Sequence, residues 1–320
     1  MEPGHVDRPP PVEGRQPVTP AAGDWLRELR APFLPASAAA VFVGAALAWH
    51  RAGVWHGGLF AACLAGVGCL HAGANVLNDY CDHRSGNDAC NTAFIRPFTG
   101  GSRLIQQGRL RPVTVLGLGA GLLVAGFAIG LVLALRRDPG LLLFLGAGLA
   151  AGIGYSLPRI GYAARGAGEG VIAVAFGLLP VTGTYRVLTG AITREACLVS
   201  LPVAVLIGAV IFVNQFPDAA ADATTGKRHW VVRLGRRRAA RVYAAAMALG
   251  PCLLLLGAVR GLLPGVLAWA ALPGLFGIPA VRHVLRHYDD PARMAPAHAL
   301  TIVVHLATCA LMGLLLLFSG

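Results

Sequence analysis

The sequence is poor in charge, and above all in acid. Only 15 of its 320 residues are Asp or Glu and 13% are charged, against about 25% in an ordinary soluble domain, which excludes a water-solvated globule. Aromatic side chains amount to 7%, and no alternation of apolar and polar residues marks strands of a membrane barrel. The seven cysteines, Cys63, Cys69, Cys81, Cys90, Cys197, Cys252 and Cys309, include no CxxC pair. They read as small packing residues, with no disulfide framework expected. Residues 1–24 lack the basic-then-apolar pattern of a signal peptide; Pro-rich and polar, they are expected to form a disordered cytoplasmic tail.

What is present is hydrophobicity: 56% of residues are hydrophobic and the mean hydropathy is +0.63. Hydrocarbon leaves backbone polar groups no partner but the chain itself, so spans of about 20 residues are expected to be helical. Nine such segments are legible, near 33–50, 57–78, 113–134, 139–158, 168–188, 196–216, 239–259, 262–284 and 298–318. The expected fold is all-α: a polytopic membrane bundle over residues 25–320.

Charge tests that count. With the N-terminus and the connections after even-numbered spans on one side, 21 Lys and Arg fall there and 6 on the other. The positive-inside rule then places the N-terminus and these loops in the cytoplasm, in a plasma or inner membrane. The net charge of +12 resides in short loops, where orientation and anionic lipid headgroups account for it, and no nucleic-acid partner is implied.

Against this background two acidic clusters stand out: Asn75, Asp79 and Asp82 at the end of the second span, and Asn214, Asp218 and Asp222 at the end of the sixth. In each, the residues recur at intervals of three or four, which places them on one side of a helix end. Their positions, four spans apart, suggest two pseudo-repeated four-helix halves plus a ninth helix. Carboxylates beside hydrocarbon need partners. Asp79, Asp82, Asp218 and Asp222, with Asn75 and Asn214, form an oxygen set suited to Mg2+, which usually keeps waters and substrate phosphate oxygens as its remaining ligands. The cations Arg84, Arg103, Lys227 and Arg228 lie close in sequence and suit the free oxygens of a diphosphate. Asn78 and Asp88 are neighbours whose contact with metal the spacing leaves open.

These residues resemble a known pattern. Asn75-x3-Asp79-x2-Asp82, followed by Ser85-Gly86-Asn87-Asp88 and Phe98-Thr99-Gly100-Gly101-Ser102-Arg103, looks like the first motif and loop of the UbiA superfamily of intramembrane prenyltransferases. Asp218-x3-Asp222, Gly226-Lys227-Arg228 and Val232-Arg233-Leu234-Gly235 are similar to the second. Tyr155-Ser156-Leu157-Pro158 and Arg165-Gly166-Ala167-Gly168-Glu169 resemble the branch that prenylates 1,4-dihydroxy-2-naphthoate. Gly86 stands where many 4-hydroxybenzoate-type members carry a third Asp, which points the same way.

The resemblance implies Mg2+-dependent transfer, with two ions, of an isoprenoid chain from a prenyl diphosphate to an aromatic acceptor, 1,4-dihydroxy-2-naphthoate or a similar quinone precursor, fed laterally from membrane lipid. It implies that Tyr155 and Tyr162 face an allylic cation and that Arg159, Tyr162 and Arg165 meet the acceptor. Other acceptors (4-hydroxybenzoate, homogentisate) and cyclisation of the prenyl chain stay open. A cation- or proton-coupled carrier is the alternative of another class; it calls for acids at mid-span in broken helices, whereas these lie at helix ends. His71, inside the second span, reads as a packed, hydrogen-bonded histidine, with proton acceptance as its functional alternative.

Overall fold

The computed structural model describes residues 19–157 and 160–320. A short helix, α1 (Ala22–Glu28), precedes α2 (Leu34–Ala52), α3 (Gly57–Ser85), the single turn α4 (Asn87–Cys90), α5 (Pro112–Arg136) and α6 (Leu141–Ser156). Then come α7 (Gly168–Ala173), a π-turn over Val174–Leu178, α8 (Leu179–Thr189), α9 (Arg194–Thr224), α10 (Trp230–Leu234) and α11 (Arg236–Val259). The chain ends with a tight apolar segment (Gly265–Phe276) running into α12 (Gly277–His287), and with α13 (Ala295–Phe318). Among the described residues there are eight helical segments long and apolar enough to cross a bilayer, with the 16-residue α6 a shorter ninth.

Helices α2, α3, α5 and α6 form one half, and α7–α8, α9, α11 and α12 the other; α13 lies along α2 and α9. In α9, 67% of the most apolar stretch is buried inside the protein, against 22% for α5 and for α11. The outward Leu and Val of α5 and α11, such as Leu135 and Leu256, are the faces a lipid chain would cover. Helices α3 and α5 cross closely because both carry glycine there: a Cβ on Gly73 would sit 3.1 Å from the Gly119 carbonyl, and one on Gly119 3.4 Å from that of Gly73. Small residues permit such backbone approach between membrane helices.

Two helices exceed their expected lengths, and the difference positions the site. Helix α3 runs to Ser85 before Gly86, at φ 77°, stops it, and α9 runs through Pro217 to Thr224. Both acidic clusters therefore ride on rigid helix. At the other end of the chain, α1 begins at Ala22, within the segment read as tail, and buried Asp24 pairs with Arg109 at 2.7 Å.

Candidate active site

The acidic ends of α3 and α9 meet. Lys227, just beyond α9, reaches back to Asp82 on α3 with its ammonium 2.5 Å from one carboxylate oxygen, and lies 3.9 Å from Asp222 Oδ1. Burial works against the lysine's charge, but Asp82 and Asp222 outweigh it and raise its pKa, holding it protonated. Asp222 Oδ2 lies 3.0 Å from His229 Nε2. Asp218 accepts a hydrogen bond from Asn91 at 2.7 Å, and Thr225 donates to Asn87 at 2.6 Å. The loops after α3 and α9 are thus tied together above the site.

Asp79 is placed differently from the other three aspartates. One of its oxygens pairs with Arg30 and the other accepts the Ser102 amide at 2.7 Å; the residue is 2% exposed. The chain that delivers this amide passes through Gly100 (φ 77°) and Gly101 (φ 66°), and a Cβ on Gly101 would stand 2.7 Å from Asp79 Oδ1. Glycine at 101 is therefore required by both conformation and proximity. Glu28, reached by the Ser102 hydroxyl at 2.6 Å, has its pKa pushed up to about 7 by burial and then by Asp79. Asp88 is likewise raised to about 7 by burial and by Asp82 and Asp79; Gln106 donates to it at 2.8 Å.

Below this polar mouth runs a cavity of about 290 Å3. One stripe of α3 lines it from Asp82 through Asn78, Asn75, His71 and Gly66 to Ala62, and α5, α6 and α8 supply apolar walls. Twenty helical residues separate Asp82 from Ala62, a rise of about 30 Å. Asp82, Asp88, Asp218, Asp222, Asn75, Asn214, Lys227 and Tyr155 all face the cavity.

Several expected contacts lie elsewhere. Asp79 is not on the cavity wall; its carboxylate meets Arg30 and the backbone of the 100–102 turn. Arg84 and Arg228 are exposed and off the wall, as is Arg165, whose carbonyl accepts from Arg233 at 2.6 Å. Arg103 lies over the Phe94 ring at 4.4 Å and donates to the Asn91 carbonyl at 3.2 Å. Tyr162 packs behind Gly154, outside the cavity, and Arg159 falls outside the described residues. Conversely, Arg30, Asn91 and His229 were not expected from sequence, yet all three line the cavity. Arg30 counted there only among the topological charges; the tertiary partners reveal all three.

The donor set fits a hard divalent ion. Among the described residues no three His, Cys, Asp or Glu side chains close a cage by themselves. Mg2+ does not need one, since substrate phosphate and water complete its shell. Asp222 Oδ1 and Asn214 Oδ1 are buried oxygens without a hydrogen-bond partner, and both residues face the cavity beside Asp218 and Asp82.

A membrane bundle with two acidic helix ends over an apolar chamber has the form of an enzyme for amphiphilic, charged-headed substrates. The chain belongs to the UbiA prenyltransferase family, whose model matches residues 37–303. It is 31% identical over 280 residues to a 1,4-dihydroxy-2-naphthoate octaprenyltransferase of Escherichia coli, covering 85% of this chain and 88% of that one. It is 32% identical over 228 residues to one of Haemophilus influenzae, covering 68% and 71%. Among solved structures, the fold matches a UbiA homolog from Archaeoglobus fulgidus bound to DMAPP and Mg2+, with a TM-score of 0.55 at 13% identity over 90% of this chain and 99% of that one. The chain is thus a membrane prenyltransferase of the menaquinone-type branch, and the carrier alternative falls away.

Proposed function

We propose that this protein transfers an isoprenoid chain from a prenyl diphosphate to 1,4-dihydroxy-2-naphthoate or a closely similar quinone precursor, with Mg2+ as cofactor. The observation that carries the reading is the convergence of Asp82, Asp218, Asp222 and Lys227 at the mouth of a long apolar chamber. The naphthoate specificity of the E. coli and H. influenzae relatives supports the acceptor. The DMAPP and Mg2+ of the A. fulgidus homolog support the donor and the metal.

Asp82, Asp218 and Asp222, with Asn75 and Asn214, would hold two Mg2+ ions, which supply charge neutralisation for the departing diphosphate. Lys227 and Arg30 face the same space and hydrogen-bond its remaining oxygens, an interaction that strengthens as the carbon–oxygen bond breaks and negative charge collects there. The prenyl tail lies along the α3 stripe, where water is excluded. The ring of Tyr155 faces the allylic carbon and contributes roughly 0.5–2 kcal/mol of cation–π stabilisation. The aromatic ring then attacks that carbon. The charge asymmetry of the loops supports a cytoplasmic mouth, the side from which a soluble aromatic acid arrives.

Mass spectrometry of products from membranes supplied with Mg2+, several prenyl diphosphates and a panel of aromatic acids tests this. A prenylated naphthoquinol is expected. Prenylation confined to 4-hydroxybenzoate or homogentisate would replace the acceptor, and a cyclised prenyl product made without acceptor would replace the reaction.

A further inference from the structure

His71 stands well inside the chamber and the mechanism above leaves it unused. It lies one turn below Asn75 on the same stripe of α3, a rise of about 6 Å, and is 8% exposed. The other charged or imidazole side chains on the cavity wall, Arg30, Asp82, Asp88, Asp218, Asp222, Lys227 and His229, belong to the mouth. Below Asn75 the lining is otherwise apolar apart from the Thr184 hydroxyl and the Cys63 thiol. A buried imidazole there needs a reason.

Its orientation is fixed from behind. Nδ1 lies 2.9 Å from the Ser37 hydroxyl, and that hydroxyl donates its single hydrogen to the Leu34 carbonyl at 3.1 Å. With that hydrogen on Leu34 the serine oxygen accepts from His71, an arrangement that assigns the ring proton to Nδ1 and the free lone pair to Nε2. No hydrogen bond to Nε2 occurs among the described residues, and the ring is on the cavity wall. Phe176, centred 4.4 Å away, covers one side of the imidazole and is itself a cavity residue. It is carried by the π-turn Val174–Leu178 between α7 and α8, a local departure from α-geometry of the kind that re-aims side chains at functional sites.

We infer that His71 Nε2 accepts a hydrogen bond from a ring hydroxyl of the aromatic acceptor, with Phe176 as the apolar wall against its ring. The inference rests on the acceptor reading above. The diphosphate occupies the mouth, so the allylic carbon lies about one helical turn inside it, level with His71. A hydroxyl donating to Nε2 pushes electron density into the ring and sets which carbon meets the allylic centre. As the new carbon–carbon bond forms and the carbon–oxygen electron pair leaves with diphosphate, the hydroxyl proton passes to Nε2 and the ring becomes a neutral dienone. Loss of the ring carboxylate as carbon dioxide returns its bonding pair to the ring and restores aromaticity. The resulting oxyanion then recovers the proton from Nε2, so His71 ends as it began.

The test uses the full chain in lipid nanodiscs with Mg2+, geranylgeranyl diphosphate and 1,4-dihydroxy-2-naphthoate, comparing unaltered protein with His71→Phe, His71→Gln and Ser37→Ala. General-base and hydrogen-bond assistance of this kind is worth about 10²–10⁴-fold. His71→Phe should therefore lower kcat at least about 100-fold with an unchanged Kd for the prenyl diphosphate. His71→Gln, which can still present an acceptor oxygen, should stay within about tenfold of the unaltered protein. Ser37→Ala, which frees the tautomer, should fall between them and raise the KM for the naphthoate only. Full turnover by His71→Phe would overturn the inference. So would a parallel loss of prenyl diphosphate binding, because that marks a packing role. If the unaltered protein forms no naphthoquinol, the acceptor reading itself fails, and His71 is then left without its ligand.

Discussion

The two acidic motifs look alike in sequence and behave differently in space. Asp218 and Asp222 stand four residues apart and both face the chamber, whereas Asp79 and Asp82 stand three apart and diverge. At about 100° per residue, Asp82 falls roughly 60° around the helix from Asp79, with Asn75 between them. Asp82 turns toward Lys227 and the chamber; Asp79 turns toward Arg30 and the Ser102 amide. The first motif thus presents one carboxylate to the chamber and the second presents two. Near-repeated halves need not contribute equally to a shared site.

Substitution separates the two roles most sharply. Asp222→Asn and Asp82→Asn are expected to lower turnover by at least about 10³-fold, as removal of preorganised charge at a transition state does, with a smaller loss of melting temperature than Asp79→Asn. Asp79→Asn should lower turnover and also destabilise the fold by about 1–3 kcal/mol, because it strands the buried partners of a charged hydrogen-bond pair. Thermal melts of the purified variants in detergent distinguish them; an Asp79→Asn protein as stable as the unaltered one would contradict the anchor role. Next in size, Lys227→Met should reduce kcat/KM by about 10²-fold, read in the same assay across a Mg2+ titration.

Below the mouth the effect shifts from rate to length. A Cβ at Gly148 on α6 would meet only the Leu70 side chain, at 3.7 Å, and Gly148 lines the chamber. Gly148→Phe should fill the tail space without disturbing the bundle, so that longer prenyl diphosphates lose activity relative to geranyl diphosphate; competition assays with mixed chain lengths read this directly. The smallest effect concerns Glu28. Its folded-state pKa, raised to about 7, means that the folded state binds the extra proton between about pH 4.5 and 7, so this group's contribution to stability falls as pH rises through that window. Glu28→Gln should flatten that part of the melting-temperature profile, and an unchanged slope would assign it to Asp88 instead.

The bundle was legible because hydrophobic runs and loop charge are one-dimensional signals. The spans and the half-repeat follow from composition and spacing, and eight long apolar helices with a shorter α6 among the described residues answer the nine expected. The acid-bearing helix ends were legible as well, since charge beside hydrocarbon has few uses. Their lengths were not, because α3 and α9 continue past their apolar stretches on tertiary support, α9 even through Pro217. Arg30 was hidden for the same reason: before a membrane span, arginine looks like an orientation signal, and its bond to Asp79 crosses 49 residues. Arg84 and Arg228 illustrate the converse, since nearness in sequence to an acid placed neither on the cavity wall. His71 kept both of its readings until the fold set Ser37, from another helix, against its Nδ1 and its ring on the cavity wall.

The central claim is that α3 and α9 contribute to one site, and a double-mutant cycle on Mg2+-dependent binding of geranyl diphosphate tests it most directly. Residues that share a ligand couple, whereas independent sites add. Binding should be lost in Asp82→Asn and in Asp222→Asn alike, with the double variant little worse than either. Additive losses, or full Mg2+-dependent binding in either single variant, would contradict a shared site.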